Sequence, residues 1–122
     1  MKTRWFVSHS SHSEDTTPIF FHALQKFDEE NKRLEIVWPP HEPIELAARK
    51  IELEHCQLVI AEVSMASTGS GIDLGLAYAA KIPVIAFHQG TGVISPIVPS
   101  IATSIHVYLT EEHILKVLAT LA

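Results

Sequence analysis

Hydrophobic residues fall into two alternating patterns along this chain. Short apolar runs at residues 4–7, 34–38, 58–61, 82–87 and 105–109 predict five β-strands. The run at 58–61 is apolar on both faces, which is typical of a central parallel strand covered by helices. Between the runs, apolar residues recur every three or four positions, and this spacing predicts α-helices.

The helical spacing also predicts which side of each helix is buried. Thr16 or Thr17 should cap the first long helix with Pro18 at its first position, and Thr110 should cap the last helix. The residues expected to face the core are Ile19, Phe20, Ala23, Leu24 and Phe27 in the first long helix, Ile72, Leu76, Ala79 and Ala80 in the third, and Ile114, Val117, Leu118 and Leu121 in the last. The second helix is marked by Ile44, Ala47, Ala48 and Ile51.

The order of these elements predicts the architecture. Strands that alternate with helices through short loops fold as a parallel sheet with helices on both faces. We therefore expect a three-layer α/β/α sandwich, flavodoxin-like (Rossmann-like), with a parallel five-stranded sheet, formed as a single domain over residues 1–122. Residues 105–109 should form an edge strand, because His106 interrupts their apolar run.

Composition narrows the class of partner. The net charge is −5 and 19% of the residues are charged, so no basic surface suited to a nucleic-acid polymer is expected. The single cysteine, Cys56, is typical of a reducing compartment, and no apolar run is long enough to cross a membrane. We therefore expect a cytoplasmic protein that binds a small molecule and needs no membrane partner.

Residues 57–75 carry the strongest chemical signal. The strand at 58–61 ends in Glu62, and a loop of small residues follows it: Ser64, Ser67, Thr68, Gly69, Ser70 and Gly71. A loop of this kind directs backbone N–H groups and hydroxyls toward an anion at the carboxyl edge of a sheet. Asp73 lies in the first turn of the next helix, and we expect it to face the same crevice. The stretch predicts a pocket for a phosphorylated or sugar-bearing ligand beside an acid.

The loop after the first strand should open at the same edge. Ser8, His9 and Ser10 begin this loop and are candidates for contacts with phosphate. His9 and His12 form a His-x-x-His pair, but zinc needs further ligands, and no cysteine or second histidine pair is spaced to supply them. We therefore expect no metal site.

The central stretch resembles a known family. Val59–Ser64 and Ser67–Gly75 are similar to the motif A-E-V-(S/T)-x-P-S-x-G-x-G-x-E-x-G of the nucleoside 2-deoxyribosyltransferase superfamily. The closest resemblance is to the 2'-deoxynucleoside 5'-phosphate N-hydrolases, and Gly92–Ser95 resembles a later loop of these hydrolases.

The resemblance implies an activity and a set of site residues. The family cleaves the N-glycosidic bond of a deoxynucleoside or its 5'-monophosphate with a carboxylate, which stabilises an oxocarbenium-like transition state and then bonds to the sugar. Asp73 matches this nucleophile, while Glu62 is either a catalytic helper or an anchor for the following loop. The residues expected to contact substrate are Trp5, Ser8, His9, Ser10, Ser67, Gly69, Ser70, Gly71 and, across a homodimer interface, Ser95. No cofactor is implied.

Three positions depart from the family pattern. Asp73 replaces a glutamate, Trp5 or Phe6 stands where a tyrosine usually faces the sugar, and Arg49 stands where an aspartate helps to handle the proton of the base. We therefore expect an N-glycosidase or transferase that acts on a nucleoside or its 5'-monophosphate through a carboxylate nucleophile. The alternative, which these departures favour, is a non-catalytic nucleotide-binding module with a degenerate active site.

A second family gives a weaker alternative. Phe6–Ser11, followed by Glu14 and Asp15, resembles the start of Toll/interleukin-receptor domains, some of which cleave the glycosidic bond of NAD with a glutamate. The central stretch fits the deoxyribosyl family better, so an NAD-cleaving domain ranks behind it.

Overall fold

The computed structural model describes residues 2–11, 13–39, 45–90 and 93–122. The strands are β1 (Thr3–Ser8), β2 (Leu34–Val37), β3 (Leu58–Glu62), β4 (Val84–Gln89) and β5 (Ser104–Tyr108). The helices are α1 (Ser13–Thr16), α2 (Pro18–Glu30), α3 (Leu46–Glu54), α4 (Thr68–Ala79), α5 (Val98–Ile101) and α6 (Glu111–Leu121). The expectations for His12, Ile44 and Gly92 lie outside the described residues.

The five strands form one parallel sheet in the order β2-β1-β3-β4-β5. This is the strand order of flavodoxin-like folds, so the predicted fold class is confirmed, and β5 lies at an edge as predicted. The direction of winding reverses between β1 and β3. In open α/β sheets, ligands bind at such a switch point, outside the carboxyl ends of the strands.

Two apolar cores cover the two faces of the sheet. Side chains alternate along β1, so that Trp5 and Val7 pack with α2 and α6, whereas Phe6 packs with α3, α4 and α5. We call these the α2 face and the α4 face. Any two consecutive residues of a strand therefore contribute to different layers of the molecule.

Thr17 and Thr110 occupy the predicted N-cap positions of α2 and α6. Thr110 is the N-cap of α6, and its hydroxyl accepts a hydrogen bond from the backbone N–H of His113 at 3.3 Å. Thr17 precedes Pro18 at the start of α2, but its hydroxyl donates to the carbonyl of Ser13 instead of accepting from the helix. The hydroxyl therefore ties α2 to the short helix α1.

The buried face of α4 differs from the predicted one. Ile72, Ala79 and Ala80 are exposed and Leu76 is half-buried, whereas Ser70, Asp73, Leu74 and Ala77 are buried. The helix is turned so that two polar residues face inward. This orientation is tolerated because Ser70 and Asp73 have hydrogen-bonding partners there, described below.

Helix α3 forms where the spacing of Ala47, Ala48 and Ile51 predicts a helix. Ala47, Ala48 and Ile51 are exposed, and Leu53 is the buried residue of this helix. Helix α3 packs against the rest of the molecule through Leu53 in its C-terminal turn and through the hydrogen bonds of Arg49. The apolar spacing of its sequence therefore does not mark its buried side.

Candidate functional site

Two loops meet at the switch point between β1 and β3. The sulfur of Met65, in the loop after β3, accepts hydrogen bonds from the hydroxyls of Ser10 at 3.9 Å and Thr16 at 3.2 Å. Ser10 is buried, whereas Met65 is 36% exposed. The methionine side chain therefore covers the crevice in which this fold binds ligands.

Asp73 lies beside this crevice, on the α4 face, and is fully buried. Its Oδ1 accepts a hydrogen bond from Nε of Arg49, and its Oδ2 accepts one from Nη2 of Arg49 at 2.8 Å. Oδ2 also accepts the hydroxyl of Ser8 at 2.7 Å. Both oxygens of the carboxylate are therefore occupied by a bidentate arginine and a hydroxyl, an arrangement that binds the charge strongly and in one orientation.

Arg49 brings positive charge to the start of α4. It lies in the first turn of α3, and 21% of its side chain is exposed. The hydrogen bond to Asp73 raises the pKa of its guanidinium. A Cβ placed on Gly69 would lie 4.0 Å from Nη2, so the guanidinium sits against the N-terminal turn of α4.

The start of α4 has the form expected of an anion-binding turn. Ser67 is its N-cap, and the Ser67 hydroxyl accepts the backbone N–H of Ser70 at 3.2 Å and donates to the Ser70 hydroxyl at 2.9 Å. Gly69 and Gly71 are exposed. A cavity of about 60 Å³, lined in part by Ser67, Ser70 and Ser95, adjoins this turn. Its volume is roughly that of two water molecules.

Glu62 lies on the other face of the sheet from Asp73. Its Oε1 accepts the backbone N–H of Ser64 at 2.5 Å, and its Oε2 accepts the hydroxyl of Tyr108. Burial, and then the hydrogen bond to Glu62, raise the pKa of Tyr108. These contacts fix the loop after β3 and connect β3 to β5, and they do not bring Glu62 to Asp73.

Trp5 and His9 also lie on the α2 face. Trp5 is buried in the core, where its ring stacks on Phe27 with centroids 5.8 Å apart. His9 is half-buried, its ring meets Phe21 edge-on at 4.8 Å, and its Nδ1 lies 2.6 Å from the carbonyl oxygen of Ser10. Of the predicted site residues, the structure thus brings Ser8 to Asp73 and gathers Ser67, Ser70 and Ser95, while Trp5, His9 and Glu62 lie across the sheet.

A second cavity, a cleft of about 600 Å³, lies beside α2. Its walls include His9, Glu14, Phe21, His22, Gln25 and Trp38. Sequence reasoning assigned a role to His9 alone among these. The signal it missed is Trp38, a large aromatic residue between β2 and Pro39 that stays half-buried after folding.

No group of three or more histidine, cysteine, aspartate or glutamate side chains within residues 2–11, 13–39, 45–90 and 93–122 could hold a metal ion. Within the same ranges, no helix is both long enough and apolar enough to cross a membrane.

The strand order and the position of the crevice define the chain as a flavodoxin-like α/β protein. The sequence matches no model of a known protein family and no curated protein.

Solved structures give clear matches to the fold. A conserved protein from Enterococcus faecalis V583 aligns over 100% of both chains with a TM-score of 0.77 at 12% identity. The CMP N-glycosidase BcmB from Clostridium botulinum aligns over 98% of this chain and 100% of its own, with a TM-score of 0.70 at 18% identity. The chemotaxis protein CheY4 from Vibrio cholerae aligns over 100% of both chains, with a TM-score of 0.57 at 13% identity. This chain therefore has a fold like that of a nucleotide N-glycosidase, and receiver domains share its architecture.

Proposed function

We propose that this chain is a non-catalytic nucleotide-binding module, related to the nucleoside 2-deoxyribosyltransferases, that binds a nucleoside or its 5'-monophosphate at the carboxyl edge of the sheet. The observation that carries this proposal is the state of Asp73, whose oxygens accept three hydrogen bonds at a fully buried position. Nucleophilic attack requires a carboxylate oxygen at about 3–3.5 Å from the anomeric carbon. The Asp73 carboxylate is buried and both its oxygens already accept hydrogen bonds, so it serves as the counter-ion of Arg49 and not as a nucleophile.

The ligand's phosphate would bind at the start of α4. The exposed first turn offers backbone N–H groups near Gly69, and a helix N-terminus favours an anion. The hydroxyls of Ser67 and Ser70 lie at this turn, and Arg49 adds a nearby positive charge. The remainder of the ligand would displace Met65 and occupy the crevice toward Ser10.

The second candidate is an N-glycosidase, a hydrolase or a transferase, with Asp73 as its nucleophile. The position of Asp73 favours it, because Asp73 lies early in α4 and directly beside the end of β1. The similarity of the fold to a CMP N-glycosidase agrees with this candidate. It requires Arg49 to release the carboxylate, for instance by turning to the phosphate of the substrate. In this candidate Glu62 does not take the expected role of catalytic helper but anchors the loop after β3, because its oxygens are held by Ser64 and Tyr108.

We also propose that the protein is a homodimer in which Ser95 approaches the phosphate site of the partner. Exposed apolar residues on α3 and α4 support a protein interface there: Leu46, Ile51, Ile72 and Tyr78. Two glycines of α4, Gly71 and Gly75, have open space where a Cβ would lie, so a second helix could approach this side closely.

The decisive experiment combines calorimetric binding with an assay for release of the base. The protein is incubated with each of the four deoxynucleoside monophosphates, with CMP and with NAD, and free base or nicotinamide is measured by chromatography. We expect binding of at least one monophosphate with no release of base. The exposed carboxylate variant Glu29→Ala serves as the control, and Asp73→Ala is the test variant.

The outcomes separate the candidates. Release of base that is lost in Asp73→Ala but kept in Glu29→Ala would replace the module by the N-glycosidase. Activity that appears in the double variant Asp73→Glu with Arg49→Asp would show that the site had lost an ancestral reaction. The absence of binding for every monophosphate would reject both candidates.

A further inference from the structure

The cleft of about 600 Å³ beside α2 lies on the opposite face of the sheet from Asp73. We propose that this cleft binds a planar nitrogen heterocycle without a phosphate, of the size of a nucleobase or nucleoside. Its volume falls within the range of pockets for small molecules, about 300–1,000 Å³. The proposal goes beyond the function proposed above and does not depend on it, because the phosphate site lies at α4.

Aromatic rings line the cleft. The rings of Phe21 and Trp38 are stacked with centroids 6.3 Å apart and planes 26° from parallel. Phe21 is buried, whereas Trp38 is half-buried and keeps part of its ring surface open to the cleft. A planar heterocycle can lie on that open surface, and stacking of this kind binds any base because every base has a π-face.

Polar groups suited to the edge of a base surround these rings. The carbonyl of Ser10 can only accept, so Nδ1 of the neutral His9 ring carries the proton and Nε2 is left as an acceptor. His22 and Gln25 lie three residues apart on α2 and line the same cleft. Neither side chain makes a hydrogen bond to any described residue. A carboxamide and two imidazoles can therefore offer donors and acceptors together to a ligand.

The charge of the cleft argues against a phosphate. Glu14 is the charged group of its described lining, which contains no lysine or arginine. A phosphate placed in this cleft would meet a carboxylate and no compensating cation. A bare heterocycle or a nucleoside meets no such repulsion, and its amino group could donate to Glu14.

The two tryptophans allow a direct test by NMR. Trp5 is buried against Phe27, whereas Trp38 lines the cleft, so the two indole N–H signals report on different places. Trp38→Phe assigns the signals. Cytosine, adenine, cytidine, adenosine and the two 5'-monophosphates are then titrated into the ¹⁵N-labelled protein. We expect the nucleosides and bases to shift the Trp38 signal and leave the Trp5 signal in place, and the monophosphates to bind about tenfold more weakly.

Variants on the surface of α2 provide the matched comparison. Gln25→Ala and His22→Ala should each weaken nucleoside binding about fivefold, the loss expected for one hydrogen bond. Glu29→Ala, on the same helix and outside the cleft, should leave binding unchanged. Glu14→Gln should bring the monophosphate close to the affinity of its nucleoside. All four residues are exposed, so the fold should survive each change.

Two results would overturn the proposal. One is a Trp38 signal that does not move when each base and nucleoside is added to about 10 mM, a ligand concentration at which even millimolar binding is detected. The other is a Trp38 shift that the monophosphates produce at concentrations as low as the nucleosides do and that the Glu14, His22 and Gln25 variants leave unchanged. Shifts confined to the amides of residues 67–71 would support the phosphate site at α4 while rejecting the cleft, so the two proposals can fail separately.

Discussion

At the scale of single residues, the pair formed by Arg49 and Asp73 determines what the carboxylate can do. A charge taken out of water is costly unless a partner compensates it, and here the compensation comes from one bidentate cation and one hydroxyl. The two partners are unequally buried. Asp73 has no exposed surface, whereas 21% of the Arg49 side chain reaches solvent. Removal of one partner should therefore have a different effect from removal of the other.

Arg49→Met leaves a buried carboxylate with Ser8 as its remaining donor, so we expect the free energy of unfolding to fall by about 3 kcal/mol. Asp73→Asn should cost less, because the freed guanidinium can turn toward solvent. Urea denaturation measures both changes. The control is Lys50→Met on the same helix, since Lys50 is exposed and pairs with Glu54 at 3.3 Å, a contact worth less than about 1 kcal/mol. An Arg49→Met variant as stable as Lys50→Met would contradict the expectation.

Cys56 gives a prediction about pH. Burial raises the pKa of its thiol from 9.0 to about 11. Because the folded protein holds this proton more tightly than the unfolded chain, the group stabilises the fold below pH 9, and the contribution is lost as the pH rises toward 11. The parent should lose stability more steeply than Cys56→Ala across this interval.

Alkylation with iodoacetamide at pH 8.5 checks the same shift independently. The native thiol should react about 100-fold more slowly than the thiol of the urea-unfolded chain, because so little of it is thiolate. Equal rates in the native and unfolded protein would show that the thiol is open to solvent.

At the scale of elements, Tyr108 and Glu62 connect β5 to β3 across the intervening strand. Tyr108→Phe removes a hydrogen bond to a buried carboxyl group, and we expect a loss of about 2 kcal/mol in unfolding free energy. Thr103→Val is the control, since Thr103 is exposed directly before β5 and the loss of its hydroxyl should cost nothing measurable. A Tyr108→Phe variant with the stability of the control would mean that Glu62 finds another donor.

Helices α2 and α4 show how far the sequence predicts the fold. In α2 the buried residues Phe20, Ala23, Leu24 and Phe27 match the apolar spacing, because large side chains on one side decide the orientation. In α4 large apolar side chains lie on more than one side, and the orientation follows the contacts of Ser70 and Asp73 instead. The partner of Asp73 stands 24 residues away on another helix, so no local pattern could reveal the ion pair. The family resemblance assigned Ser8, Arg49 and Asp73 to one site, but it did not reveal that Arg49 would pair with the carboxylate.

At the scale of the whole molecule, the exposed apolar side of α3 and α4 predicts a dimer. Sedimentation of the parent should give twice the mass of the 13.5 kDa chain. Gly75→Glu should convert it to a monomer without loss of monomer stability, because its Cβ would enter open space and glutamate favours a helix more than glycine does. Ala119→Glu, exposed on α6, is the control and should remain a dimer. A monomeric parent would reject the dimer.

Ser8 and His9 are consecutive residues that serve opposite sides of the sheet. The Ser8 hydroxyl holds Asp73 on one side, and the His9 ring borders the cleft on the other. The two sites are therefore joined by a single peptide bond, and a substitution that shifts the backbone at residue 8 or 9 would disturb both of them.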